Sequence, residues 1–556
     1  MALVAPVLAQ APDTMGGDVV RVRLLPSVGG ELEDRRRTQQ LLSGETTDGF
    51  LIRSPSARLG LESGPDGWAL LAPELDFIWN SAFPFSINDG ALRSARGANA
   101  RLMAGATLRY GRVSLVVAPE LVYEQNREFD LPDFGETPRH GASPPWYTGL
   151  RSADLPLRFG ETSETRLLPG QSTISARLGQ VALGASAESQ WWGPGIRNAL
   201  VMSNHASGIP HLFLRTSAPI RSRFGVIEGK WMVGQLRPSE YFDTLGTKAS
   251  ALSGVVLTLR PAFEPGLTLG VARTVQSVVS GGEDVPARFA DVFTRWRFTT
   301  PGDSVRAGRR ANQLLALFGR WVLPENGFEV YAEAVRQDLP ASFVDFLDDP
   351  ARSLGYTLGV QGGRQLREGN AFRLQLEASY LEQASRGRSV TSLYTGPGVP
   401  QGYTHDGQVI GASIGPGASS QWAAADYLAK GYRLGAFGGR IRWDNDAFYT
   451  TPRATIIGWP FLAHDVTLFG GLRGGIQLRS VRLDAEWTAG TRYNYLYQNR
   501  GGSWESADDA EDVLNHTLRF VIVASDPRRA RASHDFPPVP PPSPPLMEPA
   551  PTQPRP

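Results

Sequence analysis

From about Gly67 the hydrophobic positions of the chain recur at every second residue. Phe372, Leu374, Leu376, Ala378 and Tyr380 alternate with Arg373, Gln375, Glu377 and Ser379. Leu71, Pro73, Leu75, Phe77 and Trp79 alternate with Ala72, Glu74, Asp76 and Ile78. Val113, Leu115, Val117, Pro119, Leu121 and Tyr123 do so with Arg112, Ser114, Glu120 and Glu124. Successive side chains of a strand point to opposite faces, so each set predicts a strand with one oily and one polar face. A soluble sandwich shows the same alternation; length separates the two. Val481, Leu483, Ala485, Trp487, Ala489, Thr491, Tyr493, Tyr495 and Tyr497 hold one parity across 17 residues, against Arg482, Asp484, Glu486 and Arg492. Soluble strands usually run about 5–6 residues. An aliphatic face that ends in tyrosines predicts a strand crossing lipid and emerging through an interfacial girdle.

The connections support a transmembrane antiparallel β-barrel. Pro324-Glu325-Asn326-Gly327, Pro261–Gly266 and Arg367-Glu368-Gly369-Asn370 are short, Gly-bearing hairpin links. Longer polar stretches lie between them: Asn126–Gly170, Ser277–Pro286, Arg386–Tyr403 and Asn499–Glu511. Short turns on one side and long loops on the other are the outer-membrane layout, and an even strand count is expected there. The segments between Gly67 and Ala524 predict about 18 strands. Residues 12–66 read as a periplasmic or plug segment with one helix at Glu31–Leu42, stopped by Gly44. Ala2–Ala11 is a short apolar run closing on Ala9-Gln10-Ala11, the remnant of a signal peptide whose basic start lies upstream. Residues 525–556 form a Pro-rich tail with 11 prolines in its last 20 residues, expected to be extended, disordered and periplasmic. A solvated tail is the plain reading; a docking arm for a periplasmic partner is the functional one.

Composition narrows the function. The chain is 41% hydrophobic and 20% charged, and no window approaches the 18 or so apolar residues of a spanning helix. Net charge is +1, which gives no basic footprint for nucleic acid. Cysteine is absent, which removes thiol catalysis and Cys-ligated zinc. The 7 histidines form no H-E-x-x-H or close ligand pair, and no G-x-S-x-G elbow occurs, so no metal, cofactor or catalytic residue is expected. Ser203 or Ser207 with His205 is a proximity in sequence only.

Two segments exceed what a barrel wall needs. The first is Gln190-Trp191-Trp192-Gly193-Pro194-Gly195, followed by Asn198 to Ala206 and Ile209-Pro210-His211-Leu212. The second is Tyr403-Thr404-His405-Asp406-Gly407-Gln408-Val409-Ile410-Gly411, running to Gly415-Pro416-Gly417. Together they resemble the capsule assembly Wzi family of outer-membrane proteins, in which a W-W-G-P-G turn precedes an S-N-x-A-x-x-x-P stretch and a Y-x-H-x-G-Q-x-x-G element follows. Pro169-Gly170-Gln171-Ser172 is also family-like. The resemblance spans roughly Gly67 to Ala524 and is strongest at 169–236 and 403–417; the N-terminal helical region looks reduced and the tail has no counterpart. It implies an 18-stranded barrel with a closed or plugged lumen, seated in outer-membrane lipid. It also implies a lectin-like, non-catalytic role in holding extracellular or capsular polysaccharide.

Aromatic faces stack on sugar C–H faces while amide and charged edges bind hydroxyls. Trp191, Trp192, Asn198, Asn204 and His205 form such a mixture, as do Tyr403, His405, Asp406 and Gln408. For Trp191–Gly195 a rigid turn is the favoured reading, with Gly193, Pro194 and Gly195 as its structural residues. Two other functions stay open at this point: a diffusion channel, porin-like and sugar-selective, and a lipid-active enzyme.

Overall fold

The alternating segments pair in chain order, and the last pairs with the first. The computed structural model describes residues 21–524 except 44–48, 62–63, 132–143, 145, 148–150, 243–248, 295–310, 338–342, 367–368, 384–391, 397, 451–462 and 499–510. The expected signal remnant and Pro-rich tail therefore lie outside the described residues. The strands are β1 Gly67–Asn80, β2 Gly97–Tyr110, β3 Val113–Val117 with Glu120–Glu124, β4 Glu164–Leu168 with Thr173–Leu178, and β5 Val181–Ser186. Then come β6 His211–Thr216 with Ile220–Ser222, β7 Gly225–Leu236, β8 Ser250–Pro261, β9 Leu267–Val278, β10 Ala311–Leu323, β11 Phe328–Gln337 and β12 Leu354–Gln365. The last six are β13 Ala371–Tyr380, β14 Ser419–Ala429, β15 Tyr432–Arg442, β16 Val466–Gln477, β17 Val481–Tyr493 and β18 Val513–Ala524. The 22 hydrogen-bonded segments of the sheet become 18 strands once the halves of β3, β4 and β6 are joined and the short Val22–Arg23 segment is set aside. β18 closes on β1 through Thr517–Asn80 to Val523–Glu74. The result is a closed antiparallel barrel with few helices.

Alternation places the wall residues as the period predicts. Leu374 and Leu376 are 51% and 54% exposed on the outer face, while Arg373 and Gln375 between them are each 1% exposed. Exposed Trp68, Tyr110, Phe224, Phe263, Trp321 and Tyr432 ring the short-turn end, and Tyr123, Tyr356 and Tyr493 the long-loop end. These are the two girdles flanking an apolar band.

Three expectations shift. Leu71 faces inward, because the β1–β2 register slips between Leu71 and Glu74, where Pro73 lacks a donor for the ladder. β4 begins at Glu164, inside the stretch read as a loop to Gly170. Tyr495 and Tyr497 do not continue the girdle: Asn494 turns left-handed at φ 50°, and both rings fold inward to 4% and 1% exposure.

The lumen is occupied at three levels. At the short-turn mouth lies α1 (Glu31–Ser43), held by charge. Arg37 pairs with Glu329 of β11, and Arg320 of β10 with the same carboxylate at 2.7 Å. Asp34 takes both terminal nitrogens of Arg373 at 2.7 Å, and Arg373 also reaches Asp426 at 2.7 Å. At mid-height the loop joining β5 to β6 packs Trp192, Leu200 and Met202 against Met232, Leu252 and Val256 of the wall. Above it sits the β13–β14 loop, with Tyr394, Tyr403 and Ile410 in the same core.

Candidate functional site

The W-W-G-P-G segment is a latch between plug and wall. Trp191–Trp192 pairs antiparallel with Ile52–Arg53, and the Gly193 amide donates to the Leu51 carbonyl at 2.9 Å. Both indoles are buried, at 1% and 0% exposure, and the Arg53 guanidinium lies 4.8 Å over Trp191. Gly193 sits at φ 108°, where a Cβ would come within 2.6 Å of the Glu333 carboxylate, so the position needs glycine. The Pro194 carbonyl accepts from Arg37 at 2.7 Å and the Gly195 carbonyl from Arg53 at 3.2 Å. Next, the Ile196 and Asn198 amides donate to Glu377 at 2.6 and 2.8 Å, and the Leu200 amide to Glu333 at 3.0 Å. Amides that a tight turn leaves unpaired are thus met by two carboxylates from β11 and β13, which is what burial of those groups demands.

The second segment is a hairpin. Thr404 and His405 pair with Val409 and Gln408 around Asp406 and Gly407, whose φ values of 50° and 83° are those of a primed two-residue turn. The Arg237 amide donates to His405 Nδ1 at 3.1 Å, and the Tyr403 hydroxyl to Thr274 at 3.2 Å. The two segments, about two hundred residues apart, meet inside the barrel. Gln408 donates to the His205 carbonyl at 3.0 Å and Ser413 to Asn198 Oδ1 at 3.3 Å. Ser203 spends its hydroxyl on the Gly411 carbonyl at 2.6 Å, and Ser207 donates to Asp406 at 3.4 Å, so neither is hydrogen-bonded to an imidazole.

Of the nine sugar-binding candidates, Trp191, Trp192, Asn198, Tyr403, His405 and Gln408 are buried. Asn204 donates to the Val28 carbonyl at 2.7 Å, and Asp406, partly exposed, lies 3.9 Å from Arg237. His205 and Gln408 line a cleft of about 240 Å³ at the long-loop end. Burial pulls His205 down to about 4, so its ring is neutral at physiological pH.

Besides Gly407 and Pro416 of the second segment, this cleft takes residues outside the motifs: Trp146, Tyr147, Phe159, Trp443 and Tyr497, with Arg93, Arg158, Arg492, Asp444 and Asp465. The inward turn after Asn494 delivers Tyr497, whose ring meets Trp146 edge-on at 5.4 Å and whose hydroxyl donates to the Trp443 and Asp444 carbonyls at 2.8 and 2.7 Å. Arg492 holds Asp465 with two hydrogen bonds of 2.7 and 2.6 Å. Arg93 lies 4.0 Å over the Phe159 ring and pairs with Glu164 at 2.7 Å. Arg158 donates to the backbone carbonyls of Asn126 and Glu161, at 3.3 and 3.1 Å. An adjacent Trp-Tyr pair at 146–147 in an otherwise polar loop was the available sequence signal for this site. No group of three or more metal-ligating side chains occurs among the described residues.

The family model of the capsule assembly protein Wzi matches residues 84–432, more than half of the chain and inclusive of both motif segments. The chain belongs to the Wzi family. Curated proteins give no sequence match. Among solved structures, the barrel is similar to Wzi of Escherichia coli, with TM-score 0.55 and 12% identity over 92% of this chain and 95% of that one. That protein is described as an outer-membrane protein involved in group 1 capsule assembly and as a carbohydrate-binding β-barrel. OprD of Pseudomonas aeruginosa follows at TM-score 0.39 and 10% identity, covering 83% and 93% of the two chains. A BenF-like porin of Pseudomonas fluorescens Pf-5 gives 0.38 and 10%, covering 82% and 98%. Likenesses that loose say nothing about whether this lumen conducts. As a member of the Wzi family with a closed 18-strand barrel, the chain is an outer-membrane β-barrel protein.

Proposed function

We propose that this outer-membrane barrel holds capsular or extracellular polysaccharide at the cell surface by binding alone, without catalysis. The observation that carries the reading is a lumen packed at three levels beneath a long-loop cleft lined by Trp, Tyr, Arg, Asp, His and Gln side chains. Aromatic faces supply sugar stacking, and the guanidinium, carboxylate and amide edges supply hydroxyl partners. The carbohydrate binding described for Escherichia coli Wzi supports it. The buried indoles of Trp191 and Trp192 serve the fold in this reading, and of the motif candidates His205 and Gln408 face the sugar. The serine hydroxyls near His205 are engaged by other groups, which supports a non-enzymatic role.

The test is a glycan array with the refolded full chain, beside Trp146→Ala and Trp191→Ala. Wild type binds polysaccharide fragments, and Trp146→Ala weakens Kd about tenfold, the effect of losing about 1.4 kcal/mol. Trp191→Ala, once folded, keeps its affinity. A wild-type chain that binds no glycan but shows steady, large openings in planar bilayers would establish the diffusion channel instead.

A further inference from the structure

The lumen is filled unevenly. On β7, β8 and β10 the inward positions Met232, Leu252, Val256 and Phe318 pack against the central loops. On β15 and β16 the inward parity of Phe437 and Phe469 is shared by Gly435, Gly439, Gly471 and Gly475, which project no side chain. The side chains of Asp426, Phe469, Phe437 and Asp484 lie over these glycines, and beside them is a cavity of about 270 Å³ lined by Arg433 and Arg473 of the same two strands. Its lining runs from Arg482 and Val523, at the short-turn ends of β17 and β18, up to Thr488, Thr517 and Phe85. Charged groups stand on its wall among apolar ones: Arg519 bonds Asp76 at 2.7 Å and Asp89 at 2.9 Å, and Arg473 bonds Asp426 at 2.6 Å. A polar space of this size holds water.

The outer cleft begins where this cavity stops. Phe85, on the loop between β1 and β2, is the one described residue that lines both. Its ring meets Phe469 edge-on at 6.2 Å, and Phe469 lies 6.5 Å from Phe437. The loop is fixed on either side of it: Asn80 donates to the Phe85 carbonyl at 3.3 Å, and Asn88 to the Arg197 carbonyl at 2.7 Å. The Phe85 ring, backed by Phe469, thus lies between a cavity rich in charged groups and a cleft lined by aromatic, apolar and charged side chains. An apolar constriction between wet compartments excludes water and stops ions without a mechanical plug.

We propose that the cavity and the cleft are the two halves of one path for water and small ions across the barrel, closed by the Phe85 ring. The path goes beyond polysaccharide binding and does not depend on it. It follows the β15–β18 wall, leaving α1 and the latch in place.

The experiment is single-channel recording in planar bilayers of the full chain, with folding of each variant checked by heat-modifiable gel migration. Wild type and Phe85→Trp are expected to stay silent. Phe85→Ala and Phe469→Ala are expected to give small, steady current steps. Phe318→Ala, which removes a ring of equal size from the filled wall, is expected to stay silent. Silence of both folded Phe85→Ala and Phe469→Ala overturns the path. Equal openings in Phe318→Ala overturn it as well, since the current would then come from general loosening. Steady openings in wild type would show that Phe85 is no closure.

Discussion

Gly193 shows how a single residue ties the plug to the wall. A side chain there must adopt φ 108° and push into the Glu333 carboxylate, which holds the Leu200 amide. Gly193→Ala is expected to cost at least about 1–3 kcal/mol from the backbone alone. It should appear as a lower urea midpoint of the refolded protein, with sheet content retained; an unchanged midpoint would show that the turn is not a latch. Two groups at the long-loop end make stability pH-dependent in opposite senses. Burial lowers His205 from 6.5 to about 4, so between those values the unfolded chain takes the proton first and stability falls as pH falls. Burial raises Asp154 from 3.8 to about 6, against the pull of its hydrogen bonds from Ser239. There the folded chain takes the proton first, and stability rises as pH falls from about 6 to about 4. His205→Gln should therefore gain midpoint relative to wild type between pH 6 and 4, and Asp154→Asn should lose it. Parallel curves for wild type and both variants would remove either group from the pH response.

At the scale of elements, α1 is a charged helix docked on a charged wall. Arg373 is its centre, placed between Asp34 of the helix and Asp426 of β14. Arg373→Ala leaves both carboxylates without that partner, a loss of about 3–5 kcal/mol for a buried pair. Most of it should fall on the plug, since the β13 ladder keeps its backbone bonds. Limited proteolysis between Leu25 and Arg53 is expected to accelerate while the barrel stays resistant; cleavage at the wild-type rate would mean that the wall does not anchor the helix. The helix and the strands were legible in sequence because each repeats one period long enough to be seen: Glu31–Ser43 by its charged run, Ala371–Tyr380 by strict alternation. What broke the period was missed. The slip at Pro73 moved Leu71 to the inner face, and Asn494 carried Tyr495 and Tyr497 off the girdle. Tyr497 could not be assigned to the cleft from parity, because parity has no meaning beyond a left-handed residue. The motif segments were visible as unusual, and their meeting inside the barrel was not, since nothing local pairs Gln408 with His205. Composition left Trp191 and Trp192 open to sugar binding beside the favoured reading of a rigid turn, because it does not reveal which face of an indole is covered.

For the whole molecule, closure is uneven around the circumference. β17 and β18 share twelve paired positions, whereas β18 and β1 share seven, ending at Val523 and Glu74. Below that point the edge of β1 would carry unpaired backbone groups at the short-turn end, where bilayer hydrocarbon gives way to the interface. The N-terminal segment covers it: Val22–Arg23 runs parallel to Leu70–Leu71, and the Leu70 amide donates to the Arg21 carbonyl at 2.9 Å. The segment that leads into the plug thus also completes the wall where the last strand meets the first. Opening of this seam should begin there, because a two-residue pairing covers that stretch of β1. Amide hydrogen exchange in detergent is expected to be faster at Leu70, Leu71 and Val523 than at the centre of the β16–β17 pair. A chain starting after Leu25 should lose protection at Leu70 and Leu71 while the upper seam, from Asp76 to Asn80, stays protected. Uniform protection around the barrel in the shortened chain would mean that the seam is sealed by β18 alone, and that the N-terminal strand only rests against it.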